Sequence, residues 1–228
     1  METQGMGQIS YGMPDGGQYN EMSTLAPGIL AVEVWNVVDN QYKNSEGKRI
    51  LELGVGAGSL MDKLRNKFGE KVFGMDIRDW FARNKKILER MLAGDLQDLP
   101  IAKDSVDIIV SMHPFTNPED LKRALEEAER ILTPFGEVTY VIHRHQTEPD
   151  KLKELLDTLK NYCGLEKLLE CWKEAEGNIA DSVWKKLKYN KQKKANAPAG
   201  KLEIAGAKTV KISDELGSAW VVTLKKMR

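Results

Sequence analysis

The stretch Arg49-Ile-Leu-Glu-Leu-Gly-Val-Gly-Ala-Gly-Ser-Leu60 constrains this chain most, because an apolar run leads straight into three alternate glycines. Glycine tolerates positive φ and carries no Cβ, so at Gly54, Gly56 and Gly58 the main chain can close around a bound nucleotide cofactor. The spacing separates one class of cofactor from another. A dinucleotide loop needs Gly-x-Gly-x-x-Gly, whose last glycine lets helix and strand pack closely. Here the third glycine falls one residue early and Ser59 takes the dinucleotide position, which turns the reading away from NAD.

Two further acidic residues stand at informative distances. Lys71-Val-Phe-Gly-Met-Asp-Ile77 reads as a second buried strand, and Asp76 lies 22 residues beyond Gly54, where such folds hold a carboxylate for ribose hydroxyls. An ionised carboxylate only accepts, so its two oxygens can take one hydrogen bond from each of two neighbouring hydroxyls. Asp95 follows a short apolar segment in Ala93-Gly94-Asp95-Leu96. Acidic-x-Gly-x-Gly-x-Gly, present as Glu52-Leu-Gly-Val-Gly-Ala-Gly58, resembles the first motif of class I S-adenosylmethionine-dependent methyltransferases. The resemblance runs over residues 49–143, and its branch resembles the ubiquinone and menaquinone biosynthesis methyltransferases. It includes Asp98 to Ser111, with Asp107 opening a strand, and Glu126-Glu-Ala-Glu-Arg-Ile-Leu-Thr-Pro-Phe-Gly136. That branch has Lys-Pro-Gly-Gly at the last turn; Pro134 and Gly136 are kept, while Phe135 departs from the pattern.

The resemblance implies roles for individual residues. Glu52, Gly54, Gly56 and Gly58 would surround the methionine portion of S-adenosylmethionine. Asp76 would hold the ribose and Ile77 the adenine face, while Asp95 and the Leu96 amide would meet the adenine edge. Ser111 and Met112 would touch the methionine amino group through the backbone. Methyl transfer to an acceptor with a proton of high pKa also needs a base, and His113, just after the fourth strand, is the candidate catalytic residue. The competing structural reading is a histidine that orders the loop. His143 and His145 are weaker candidates of the same kind.

Alternating strands and helices predict an α/β fold with a doubly wound parallel sheet; the resemblance implies seven strands, mostly parallel, with an antiparallel last strand. Helices are expected over Leu25–Asp39, Ser59–Phe68, Trp80–Met91, Pro118–Leu132 and Asp150–Tyr162, the fourth with Asn117 as its N-cap and a stripe of Leu121, Leu125, Ala128 and Leu132. The fifth strand is expected at Glu137–His143 and the last at Ala219–Lys226. Leu165–Trp172 reads equally as the sixth strand or as helix. Residues 1–24 are rich in Gly, Met, Gln and Tyr without periodicity, which predicts a flexible N-terminal segment, and 25–228 then form a single domain.

Composition excludes several classes. Lys plus Arg number 34 and so do Asp plus Glu, so no global positive field draws the chain to nucleic acid. Cys163 and Cys171 lack nearby ligand partners, so neither a metal site nor a disulfide framework is indicated and a cytoplasmic protein is expected. No run approaches a membrane span, and the first 25 residues do not read as a signal peptide. Lys185 to Lys201 holds seven lysines around Tyr189 and reads as a basic insertion. It is either a solvated loop or a docking arm for an acidic substrate, a protein or RNA. The leading expectation is methylation of a small-molecule acceptor. The alternatives are an RNA or protein methyltransferase, a non-catalytic cofactor-binding protein and, distantly, a dehydrogenase; the oligomeric state is not legible.

Overall fold

The computed structural model describes residues 34–55, 58–76, 89–112, 118–143, 149–163, 202–213 and 217–228. Seven strands form one sheet in the order β3-β2-β1-β4-β5-β7-β6: β1 Ile50–Leu53, β2 Val72–Asp76, β3 Met91–Ala93, β4 Val106–Ser111, β5 Leu132–His143, β6 Leu202–Ser213 and β7 Gly217–Lys226. Strands β1 to β5 run parallel, and β7 lies antiparallel to both β5 and β6. This is the doubly wound sheet expected from the alternating pattern. The helices are α1 over 34–41, α2 Ser59–Phe68, α3 Pro118–Ile131 and α4 Pro149–Cys163.

Every residue of β1 is buried, as a parallel central strand requires when helices cover both faces. Leu51 and Leu53 enter a cluster with Leu121, Leu125 and Leu159 of α3 and α4. Ile50 turns the other way, toward Val34 and Val38 of α1 and Leu60 and Leu64 of α2. The C-terminal end of α1 is tied to the sheet by a polar ring. Tyr42 shares a hydrogen bond of 2.9 Å with Thr139, Thr139 one of 3.1 Å with Thr223, Thr223 donates to Gln41 Oε1, and Gln41 donates to the Tyr42 oxygen. Burial raises the Tyr42 phenol well above its ordinary range, so it stays a neutral partner of that ring.

Several expectations need correction. Met91 does not end a helix: it opens β3 opposite Gly74, where a Cβ would lie 2.5 Å from the Met91 sulfur. The rest of the expected helix, from Trp80, is outside the described residues except for Glu89 and Arg90, which form a turn. Leu132 belongs to β5 rather than to the preceding helix, because the chain re-enters the sheet opposite Val106 before a bulge carries it to Glu137 opposite Ile108. Phe135 sits in that bulge at φ 66, a left-handed conformation that costs a residue with a Cβ about 1–2 kcal/mol. Gly136 follows where a Cβ would meet the Thr133 carbonyl oxygen at 2.9 Å. The turn therefore keeps its path despite the bulky residue.

The strand that pairs with β7 is Leu202–Ser213, after the basic arm. Gly206 dilutes its alternation, and its pairing breaks register twice, so sequence periodicity alone does not mark it. Leu165–Trp172, the arm itself, Asn117 and residues 1–24 lie outside the described residues.

Candidate functional site at the carboxyl edge of the sheet

Register brings those of the predicted residues that are described to one edge. Leu53 of β1 stands opposite Met75 of β2 and Ser111 of β4, and Asp76 stands opposite Ala93 of β3. Adjacent strands are about 4.8 Å apart, so the carboxyl ends of the four strands form one continuous rim. Backbone hydrogen bonds stitch it together: Gly54 N–H donates to the Met75 carbonyl at 2.8 Å and Gly94 N–H to the Asp76 carbonyl at 3.2 Å. The Ser111 hydroxyl donates to the Leu53 carbonyl at 3.1 Å.

The loop after β1 turns on glycine. Gly54 has φ 73 and Gly58 has φ 86, the latter as the cap of α2. Val55, between them, packs where Gly74 has no side chain; a Cβ there would approach Val55 Cγ2 to 2.7 Å. Gly74 is thus a support of the loop that motif reading missed. The N-terminal amides of α2 open beside the loop, a position that favours negative ligand groups.

Glu52 is the most informative side chain. It is 0% exposed, and neither carboxyl oxygen has a hydrogen-bond partner among the described residues. Burial pushes its carboxyl well above the usual carboxylate range, and the nearby Asp76 and Asp62 push it further the same way. A buried acid with nothing to bond costs several kcal/mol when ionised, so this position suits an incoming cation or donor. Asp62, in the first turn of α2, went unnoticed in the sequence because no motif marks it.

The remaining predicted residues divide clearly. Asp76 is half-buried at the end of β2. Asp95 accepts a hydrogen bond from the Gln97 amide at 2.9 Å, so it shapes its own turn. The side chains of Ser111 and Met112 pack into the fold, which leaves their backbone as the part able to meet a ligand. Gly56, Ile77 and His113 lie outside the described residues. Among the described residues no group of three or more His, Cys, Asp or Glu could hold a metal.

Sequence reading also missed what holds the Asp95 turn. One face of α3 presents Asp120, Arg123, Glu127 and Arg130 to residues 97–101. The Gln97 side-chain amide donates to Asp120 at 3.0 Å, and Arg123 donates to the Gln97 oxygen at 3.2 Å. Glu127 accepts from the Leu99 amide at 2.8 Å, while Arg130 donates to the Leu99 and Ile101 carbonyls. Glu127 and Arg130 stood within the Glu126–Gly136 stretch that carries the resemblance; their use as a clamp on the β3–β4 loop needed coordinates.

Residues 51–140 match the profile of the methyltransferase domain family. This chain carries a methyltransferase domain. The domain's cofactor is S-adenosylmethionine, and the residues at the edge fit it: bare glycine backbone, a carboxylate at the end of β2 and a buried acid without a hydrogen-bond partner among the described residues. The chain is similar to malonyl-[acyl-carrier protein] O-methyltransferase 1 of Coxiella burnetii, with 32% identity over 107 residues, covering 46% of this chain and 36% of that protein. It thus matches little more than a third of that relative's length. Two solved structures share the methyltransferase domain's fold. A putative S-adenosyl-L-methionine-dependent methyltransferase of Methanococcus maripaludis has a TM-score of 0.53 at 18% identity, covering 98% of both chains. A SAM-dependent methyltransferase of Aquifex aeolicus has a TM-score of 0.52 at 18% identity, covering 91% of this chain and 98% of the other. At that identity the likeness speaks for the fold alone. No helix among the described residues is long and apolar enough to cross a membrane.

Proposed function

We propose that the protein is an S-adenosylmethionine-dependent methyltransferase acting on a small-molecule acceptor. The observation that carries the reading is the fully buried Glu52, without a hydrogen-bond partner among the described residues, at the foot of the Gly54–Gly58 loop and on the same rim as Asp76 and Asp95. Glu52, Gly54, Gly56 and Gly58 take the methionine portion, Asp76 the ribose hydroxyls, and Ile77, Asp95 and Leu96 the adenine. Ser111 and Met112 contribute backbone groups. When bound, the cofactor supplies an electrophilic methyl group on a positively charged sulfur. The protein's task is to hold the acceptor lone pair in line with that methyl group, an alignment that can lower the barrier by up to about 7–11 kcal/mol. The new bond would form at the acceptor as the donor's carbon–sulfur bond broke, its electron pair leaving on sulfur. A proton on the acceptor goes to His113 or to water.

The named relative, a malonyl-[acyl-carrier protein] O-methyltransferase, supports a small acyl acceptor group, and the balanced net charge supports a substrate without a polyanionic backbone. The test is mass spectrometry of donor turnover against a panel of small carboxylic acids and thioesters, amines and quinols, with transfer RNA and protein as contrast. Methylated small molecules are expected. Turnover confined to RNA or protein would overturn the acceptor class. A melting temperature unmoved by S-adenosylhomocysteine at about 100 times a micromolar Kd, where binding adds about 2.7 kcal/mol, would overturn the cofactor site.

A further inference from the structure

Glu52 lies on the face of β1 that also carries Ile50, opposite Gly74 of β2 and Val110 of β4. Gly74 brings no side chain and Val110 no charge. The described α1 residues in that packed cluster, Val34, Trp35, Val37 and Val38, are likewise uncharged, and the one acid of α1, Asp39, is paired with Lys67. The charges that reach Glu52 are two carboxylates, Asp62 from the first turn of α2 and Asp76 from the end of β2. The surroundings therefore offer the Glu52 anion neither water, nor a hydrogen-bond donor, nor an opposite charge among the described residues.

Such an acid keeps its proton until a cation arrives, because desolvation and like charges both disfavour the ionised form while an opposite charge within a few ångströms favours it. The methyl donor brings such a charge. Its sulfonium, ammonium and carboxylate groups sum to one positive charge, whereas the thioether product has lost the sulfonium charge and is neutral overall. Glu52 thus experiences the two ligands differently even though their shapes are nearly the same.

Resting on the donor-site reading above, we propose that Glu52 is a charge-sensing residue: protonated while no cation is present, it releases its proton to solvent when the sulfonium donor binds, and the neutral product holds its anion less firmly. Donor binding is then linked to pH, and the charge lost in the reaction loosens the product. The residue selects donor over product by electrostatics rather than by fit.

Titration calorimetry of the full chain at pH 7, in phosphate and in Tris, counts the protons exchanged. Release of up to one proton per S-adenosylmethionine is expected, with a smaller release for S-adenosylhomocysteine. Glu52→Gln, which keeps the size and cannot ionise, is expected to abolish the exchange and to lower the donor-to-product affinity ratio by about tenfold, or about 1.4 kcal/mol. Donor binding with heat that is the same in both buffers would overturn the inference and leave the donor site standing. Unchanged exchange in Glu52→Gln would do so as well. Absence of binding by either ligand would overturn the donor site and the inference together. Should Glu52→Gln fail to fold, the proton count of the unaltered chain still decides.

Discussion

Arg130 and Glu127 meet at 2.7 Å, and between them they hold both backbone polar groups of Leu99. Their pairing lowers the Glu127 pKa and raises that of Arg130, so both stay charged near neutrality. Glu127→Ala would leave the Leu99 amide without its acceptor and Arg130 without its counter-charge. We expect a loss of about 1–3 kcal/mol in stability by urea denaturation. If the clamp positions the Asp95 turn for the donor, the donor KM rises several-fold while kcat changes little, and Glu127→Gln recovers part of the loss. An unchanged donor KM would reduce the clamp to a purely structural role.

Asp76 stands at the end of β2, one residue past the carbonyl that receives the Gly54 amide. Removing its carboxylate by Asp76→Ala should weaken donor binding by about 1.5–3 kcal/mol, roughly ten- to a hundredfold. Calorimetry reads this directly, and equal affinity in the variant would reject the ribose assignment.

Gly74 lies beneath the cofactor loop rather than in it. In Gly74→Ala the new methyl would meet Val55 Cγ2 at 2.7 Å and the Met91 sulfur at 2.5 Å. The flexible Met91 can move aside, but Val55 belongs to the glycine loop and moves only with it. A destabilisation of about 1–3 kcal/mol is expected from the overpacking, with a measurable loss of donor affinity. A variant with normal affinity and a lowered melting temperature would show that β2 absorbs the strain without disturbing the loop.

Asp107 receives three hydrogen bonds from Arg49, through its amide, Nε and Nη2, and one from Thr133. The hydrogen bond from the Arg49 side chain, more than any other contact, holds its carboxyl at about 2, below the ordinary 3.8. A depressed pKa gives stability that is present above the unfolded value and lost as pH falls from about 4 through about 2. Arg49 is nearly half exposed, so solvent screening reduces the gain to about 1 kcal/mol. Asp107→Asn should therefore be less stable than the parent at pH 6 and converge with it near pH 2. A gap that persists at pH 2 would place the effect in packing rather than in charge.

Much of this architecture is legible in the chain because it is local. The boundaries of α2, the burial of β1 and the left-handed turns at Gly54 and Gly58 follow from residue type and short-range periodicity. Phe135 shows the limit of such reading, since its departure from a glycine pattern was visible but its φ of 66 was not.

By itself the sequence determined a parallel sheet with a glycine loop and spaced carboxylates, because apolar periodicity and the absence of Cβ act within a few residues. Only the tertiary structure decided which distant groups meet. It placed β6 after the basic arm, seated Val55 over Gly74, set α3's charges on the Leu99 backbone and left Glu52 buried without a hydrogen-bond partner among the described residues. Those relations depend on pairing across tens of residues, and a buried polar atom's partner, or its lack of one, exists only once the chain has closed around it.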